Sequence, residues 1–180
     1  MIKFDLGTSG QQLTFSDAVV SHLENRRQLR FWQAEAGGLL FARLSAEEVF
    51  IEVATGPRRT DRRTRSTYYP DRAAEQREIY NMHSEGLSFV GTWHSHPEPV
   101  PRPSGVDLHS LAESFRLSNH HLNAFVLAII GQRPAPEGLA VILGDGETIV
   151  TLIPTSSSRD EETGHVKNTD PGQSSERALG

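Results

Sequence analysis

The stretch GTWHSHPEPVPRPSGVD, residues 91–107, sets two histidines one residue apart, then four prolines, then a serine and an aspartate. In a strand, residues i and i+2 project from the same face, so His94 and His96 stand side by side and can reach one ion. Ser104-x-x-Asp107 before an apolar run has the form of a capping box at the start of a helix. Each half has an ordinary reading by itself. Histidines are commonly structural or exposed, and Ser-x-x-Asp is most often only a cap. The two halves are also compatible. A capped helix whose first turn faces the end of the histidine strand delivers Asp107 as a third ligand, and the seven residues between His96 and Ser104 are enough for the return. The prolines stiffen that loop. Two imidazoles and a carboxylate suit catalytic zinc, which commonly takes three protein ligands and a water. Such a site also needs a base and a donor to the oxyanion, and Ser104 is a candidate donor.

The surrounding pattern supplies a frame. LSFVGTWHSHP, residues 87–97, reads as a strand ended by its proline, and a helix is predicted from Ser104 to about His121. NAFVLAIIG, 123–131, is nearly all apolar and predicts a buried central strand. Residues 37–44 and 48–55 predict two strands able to pair, residues 1 to about 15 a strand pair, and GLAVILG with ETIVTLIP a final hairpin. Ser16–Asp17 opens one helix, with arginines at its end, and Asp71 opens another that runs towards Gly86. Strands mixed with three helices predict an α/β (α+β) layered fold.

Length and composition bound the rest. The 180 residues fit one domain, and the absence of cysteine removes disulfides, thiolate metal sites and thiol nucleophiles. No leader and no membrane-spanning run are expected, which with the missing cysteines predicts a cytoplasmic protein. A net charge of −5 argues against a general nucleic-acid binder. RRTDRRTR, 58–65, carries five arginines and reads either as a solvated loop or as a strip for an acidic partner. From Thr155 onward only Val166, Ala178 and Leu179 are apolar. Residues 155–180 are therefore expected to be a disordered tail after a domain at 1–154.

EAGGLL at 35–40, of the form E-x-x-G-x-L, followed by H-S-H-P-x6-S-x-x-D at 94–107, resembles the JAMM motif of the JAB1/MPN/Mov34 zinc metalloprotease family. The resemblance covers roughly residues 10–153. It implies the MPN/JAB fold, a mixed sheet flanked by helices and similar to the cytidine-deaminase-like architecture. It implies one zinc held by His94, His96 and Asp107, Glu35 as the general base, and Ser104 steadying the oxyanion. His22, His83, His109, His120, His121 and His165 gain no such role and are expected at surface or helix positions. The lead-in G-x-W-H-S-H-P-E-P is similar to bacterial JAB proteases of the CD-NTase-associated protein 3 type, found in antiphage (CBASS) operons, and to JAB proteins of integrative and conjugative elements. That likeness implies a deconjugating isopeptidase acting on a ubiquitin-like conjugate or a conjugated nucleotidyltransferase. A protease maturing a ubiquitin-like or sulfur-carrier protein, a non-catalytic MPN interaction module and a nucleic-acid-associated member remain as alternatives. Trp93 and the prolines 97–103 are expected to border the substrate groove.

Overall fold

The FVLAII run forms β8 (Phe125–Ile130), and every residue of it is buried. A strand that is apolar on both faces needs cover on both faces. The computed structural model, which describes residues 1–155, provides it with three layers. One sheet of eight strands runs in the order β1-β2-β4-β3-β7-β8-β9-β10. Its members are β1 (Ile2–Asp5), β2 (Gln12–Phe15), β3 (Gly37–Leu44), β4 (Glu48–Ala54), β7 (Ser88–Ser95), β8, β9 (Leu139–Gly144) and β10 (Ile149–Leu152). The β2/β4 and β7/β8 pairs are parallel and the other neighbours antiparallel, so the sheet is mixed. A separate two-stranded ribbon joins β5 (Arg62–Arg63) to β6 (Tyr68–Tyr69).

Helix α1 (Asp17–Glu24) covers one face. Its Val19 and Leu23 pack with Leu40, Trp93, Val126, Ala128 and Val141. Helices α2 (Arg72–Ser84) and α3 (Gly105–Leu117) cover the other. Leu111 of α3 packs on Phe125, Leu127 and Ile129, while Ile79 and Met82 of α2 pack on Leu39, Phe41 and Leu87. Alternate residues of β3 and β8 thus feed opposite cores, as the two-residue period of a strand requires. All three helices start where the sequence marks them. Ser16, Asp71 and Ser104 each accept a hydrogen bond from the backbone N–H three residues on, satisfying a donor that the first turn leaves free. The arginines after α1 bond its last carbonyls, Arg26 to His22 O and Arg27 to Glu24 O.

Two details differ from the sequence reading. Helix α3 stops at Leu117 rather than near His121, because Ser118 turns to extended backbone. The chain then returns so that His120 lies on the rings of Phe115 and Phe125 and bonds Phe115 O. The arginine run is no plain loop, since part of it forms the β5–β6 ribbon. The expected tail lies outside the described residues beyond Thr155, whose N–H still bonds Lys3 O. Among the described residues no helix is long and apolar enough to cross a membrane.

Candidate metal centre

His94 is in the last turn of pleat of β7, and His96 directly follows the strand, its N–H bonded to Ile130 O of β8. The parallel β7/β8 pairing thus holds both histidines in strand register. Their side chains leave the α3 face of the sheet together, with Nε2 atoms 3.0 Å apart. The proline loop returns the chain to Ser104, which caps α3 in a full capping box. Ser104 Oγ accepts from Asp107 N, and Asp107 Oδ2 accepts from Ser104 N. The same carboxylate faces both imidazoles, with Oδ1 3.3 Å from His94 Nε2 and Oδ2 3.6 Å from His96 Nε2. The cap therefore aims the aspartate. The oxygen of Ser104 is used as an acceptor in the cap, which leaves its own hydrogen available to donate.

Glu35 arrives from the opposite direction. It ends the segment that enters β3, and β3 is antiparallel to β7 with Gly37 opposite His94. Its ligand atom and those of His94 and His96 lie within 4.8 Å of one another. The donor spacings fit zinc. An ion with ligands at about 2.0–2.1 Å in a tetrahedron separates its donor atoms by about 3.3 Å, and the three His94, His96 and Asp107 distances bracket that value.

Burial sets the protonation of this cluster. Glu35 is 8% exposed. Desolvation first, then the nearby charge of Asp107, push its carboxyl up to about 7. His94 is held below its usual range, chiefly by burial; Asp107 opposes that shift and His96 adds to it. A neutral imidazole is the form that binds a metal. A groove of about 590 Å³ opens over the cluster, lined by Glu35, both histidines, Ser104, Asp107 and Tyr68 among others.

Glycines make room for this arrangement. A Cβ on Gly38 would meet Thr55 O at 1.9 Å, so the G of E-x-x-G-x-L lets the chain just past β4 close on β3. A Cβ on Gly37 would strike the ring of Tyr68 at 2.7 Å, so the missing side chain seats the tyrosine beside Glu35.

The family model for prokaryotic homologs of the JAB domain matches residues 17–149. The chain belongs to this family. Among similar proteins, one from Pseudomonas aeruginosa named CD-NTase/cGAS isopeptidase is 32% identical over 149 residues, 80% of this chain and 84% of its own. Another of that name from Escherichia coli is 28% identical over 51% of this chain and 61% of its own. The solution structure of protein DSY2949 from Desulfitobacterium hafniense has a TM-score of 0.56 at 20% identity, covering 77% of this chain and 88% of that one, which bears out the fold.

Within this JAB domain Pro97 lines the groove, as does Trp93 despite its burial. Its indole is 1% exposed, bonds Thr55 O and meets His22 edge-on on the α1 side of the sheet. His22 is at a helix position in α1, as expected, but half-buried there, its Nε2 on Gly56 O. His83, His109 and His121 are exposed, and His165 lies outside the described residues. The sequence reading missed two supports of Glu35. Ser95, between the two histidines and fully buried, accepts from Ala36 N and donates to Gln28 Oε1. Thr64 O of the ribbon accepts the Glu35 N–H at 2.7 Å. A serine between two histidines gives no signal of its own, and the ribbon has too few residues to show a period. Arg58, first of the arginine run, is not solvated: it pairs with Glu78, Glu75 and Asp61 and fastens the ribbon to α2.

Proposed function

We propose that this JAB protein is a zinc-dependent isopeptidase. It cleaves the bond after the C-terminus of a ubiquitin-like protein, or of a nucleotidyltransferase that a ubiquitin-like ligase system has conjugated. The observation that carries the reading is the convergence of a buried carboxyl, Glu35, on two imidazoles that share a carboxylate partner, Asp107. His94, His96 and Asp107 would hold the ion. Zinc at these residues supplies Lewis acidity towards a carbonyl and towards water.

The rest is the work of the chain. Glu35 accepts a proton at its carboxylate from the attacking water and passes it to the nitrogen as the carbon–nitrogen bond breaks. A carboxyl moved to about 7 is matched to accepting and returning a proton near neutrality. The Ser104 hydroxyl donates to the carbonyl oxygen as it gains charge. The groove receives the extended chain that precedes the scissile bond. Residues 1–154 carry the whole activity, supported by the bridge between Phe4 and Pro154 that ties the end of the domain to its first strand. The names of the Pseudomonas and Escherichia relatives support a conjugated CD-NTase as the substrate; the proposed setting is antiphage signalling in the cytoplasm.

The test is Glu35→Ala. Folding and zinc content should persist while cleavage of a CD-NTase conjugate falls by several orders of magnitude. Retained turnover in that variant refutes the assignment of the base.

A further inference from the structure

The loop between α1 and β3 exposes three large apolar side chains in a row of four. Leu29 is 57% exposed, Phe31 72% and Trp32 63%. Exposed apolar residues scattered singly are ordinary, but a contiguous group on a soluble protein marks a contact surface. This group is also ordered. Phe31 and Trp32 pack edge to face at 4.9 Å, and the Arg30 guanidinium lies 5.3 Å from the Trp32 ring centroid. Beneath them Gln28, 1% exposed, donates to Gln33 O and to Arg65 O and accepts from Ser95. One buried amide thus fixes the loop, the arginine ribbon and the histidine strand to one another.

The arginines belong to the same surface. Arg65 donates to Phe31 O, which sets the ribbon against the aromatic pair. Arg59, Arg62, Arg63 and Arg65 are exposed, as is Arg30. The only acid in residues 25–34 and 58–67 is Asp61, and its side chain is fully buried. A chain with a net charge of −5 therefore exposes arginines and no acid in these two segments, which Arg65 and Gln28 join beside the aromatic pair. Trp and Arg are the residue types that most often dominate binding energy at protein interfaces. Arg65, bonded to Phe31 O, runs directly into Ser66, Thr67 and Tyr68, which line the groove, so a partner on the aromatic pair sits next to the groove.

We infer that Leu29, Phe31 and Trp32, flanked by Arg30 and Arg65 and by the exposed arginines of the ribbon, dock the folded body of the protein substrate through an acidic surface with an apolar recess. The inference rests on the isopeptidase reading and adds to it a recognition site outside the groove. Charge complementarity favours an acidic partner and speeds its encounter. A protein is favoured over a nucleic acid because the two rings pack against each other instead of presenting parallel free faces for stacked bases.

The test compares two probes. One is a CD-NTase joined through its C-terminal carboxyl to a lysine of a carrier protein. The other is a short peptide spanning the same bond. With Phe31→Ser and Trp32→Ser combined, the Kd for the conjugate, measured in a zinc-loaded Glu35→Gln background so that the bond survives, should rise about 30-fold. In the active enzyme kcat/KM should fall by a similar factor for the conjugate, through KM, and stay unchanged for the peptide. Arg62→Glu should slow association and flatten its salt dependence. Conjugate binding as tight as that of the parent protein overturns the inference. So does tight binding of a single-stranded oligonucleotide that alone depends on these residues. If neither probe is cleaved by the wild type but conjugate binding still weakens in the variants, the isopeptidase reading fails and the docking surface stands.

Discussion

Replacing Ser95 by alanine removes one oxygen from the joint between the strand that carries the histidines and the segment that carries Glu35. That oxygen is fully buried, accepts from Ala36 N at 3.0 Å and donates to Gln28 Oε1 at 3.1 Å. Its loss leaves a buried amide N–H without a partner, at about 1–3 kcal/mol, and deletes a neutral hydrogen bond worth about 1 kcal/mol. The sum is about 3 kcal/mol. For a chain of this size each kcal/mol moves the melting midpoint by about 2–4 °C, so Tm should drop by about 6–12 °C. Urea denaturation should give the same loss with an unchanged m-value. Zinc binding should hold within a few-fold, since the pairing of β7 with β8 fixes the imidazoles without Ser95. Cleavage should fall about 10- to 100-fold, because a small displacement of the base is costly. Combined with Gln28→Ala the two losses should be less than additive, as they share a bond. A Ser95→Ala loss below about 1 kcal/mol, or full additivity with Gln28→Ala, refutes this account of the joint.

Other expected outcomes follow from the same structure. Ser104→Ala should cost about 1 kcal/mol in denaturation, as a lost cap, yet lower kcat by about 100-fold; a kcat within a few-fold of wild type leaves Ser104 as a cap only. Arg58→Met should destabilise by about 3 kcal/mol, because it strands the Asp61, Glu75 and Glu78 carboxylates against one another; a neutral result in urea contradicts the network. His22 is held below its usual range by burial first and by Arg26 second, with the backbone carbonyls of Gly56 and Thr55 opposing. Below about pH 6.5 the unfolded chain takes up a proton that the folded chain refuses. Its contribution to stability is therefore present above that pH and lost as pH falls through it. His22→Gln should flatten that part of the stability–pH curve, and an unchanged curve would show that the histidine protonates freely in the fold.

Much of the frame was legible because strong patterns carried it. The apolar FVLAII run could only be a covered central strand, and Ser16, Asp71 and Ser104 announced their helices through capping chemistry. The candidate site was legible for a related reason. His94 and His96 are near in sequence, and the strand period alone predicts that they share a face. Glu35 is distant, and only the resemblance linked it to them; the β3/β7 pairing supplies the physical link. What stayed hidden depends on contacts between segments far apart. Nothing in RRTDRRTR distinguishes the enclosed Arg58 from its exposed neighbours, because the distinction comes from Glu75 and Glu78 on α2. Two-residue strands show no period, so the ribbon read as a loop. Ser95 and Gln28 matter only through hydrogen bonds that tertiary structure creates.

The proposed activity requires residues 91–107 to form a working metal site. The most direct measurement is zinc per folded chain, by elemental analysis of the purified protein and of His96→Ala, both offered zinc and then dialysed. One zinc per chain in the wild type, lost in a variant that keeps its circular dichroism spectrum, is the predicted result. A well-folded wild type that holds no zinc after this treatment contradicts the account.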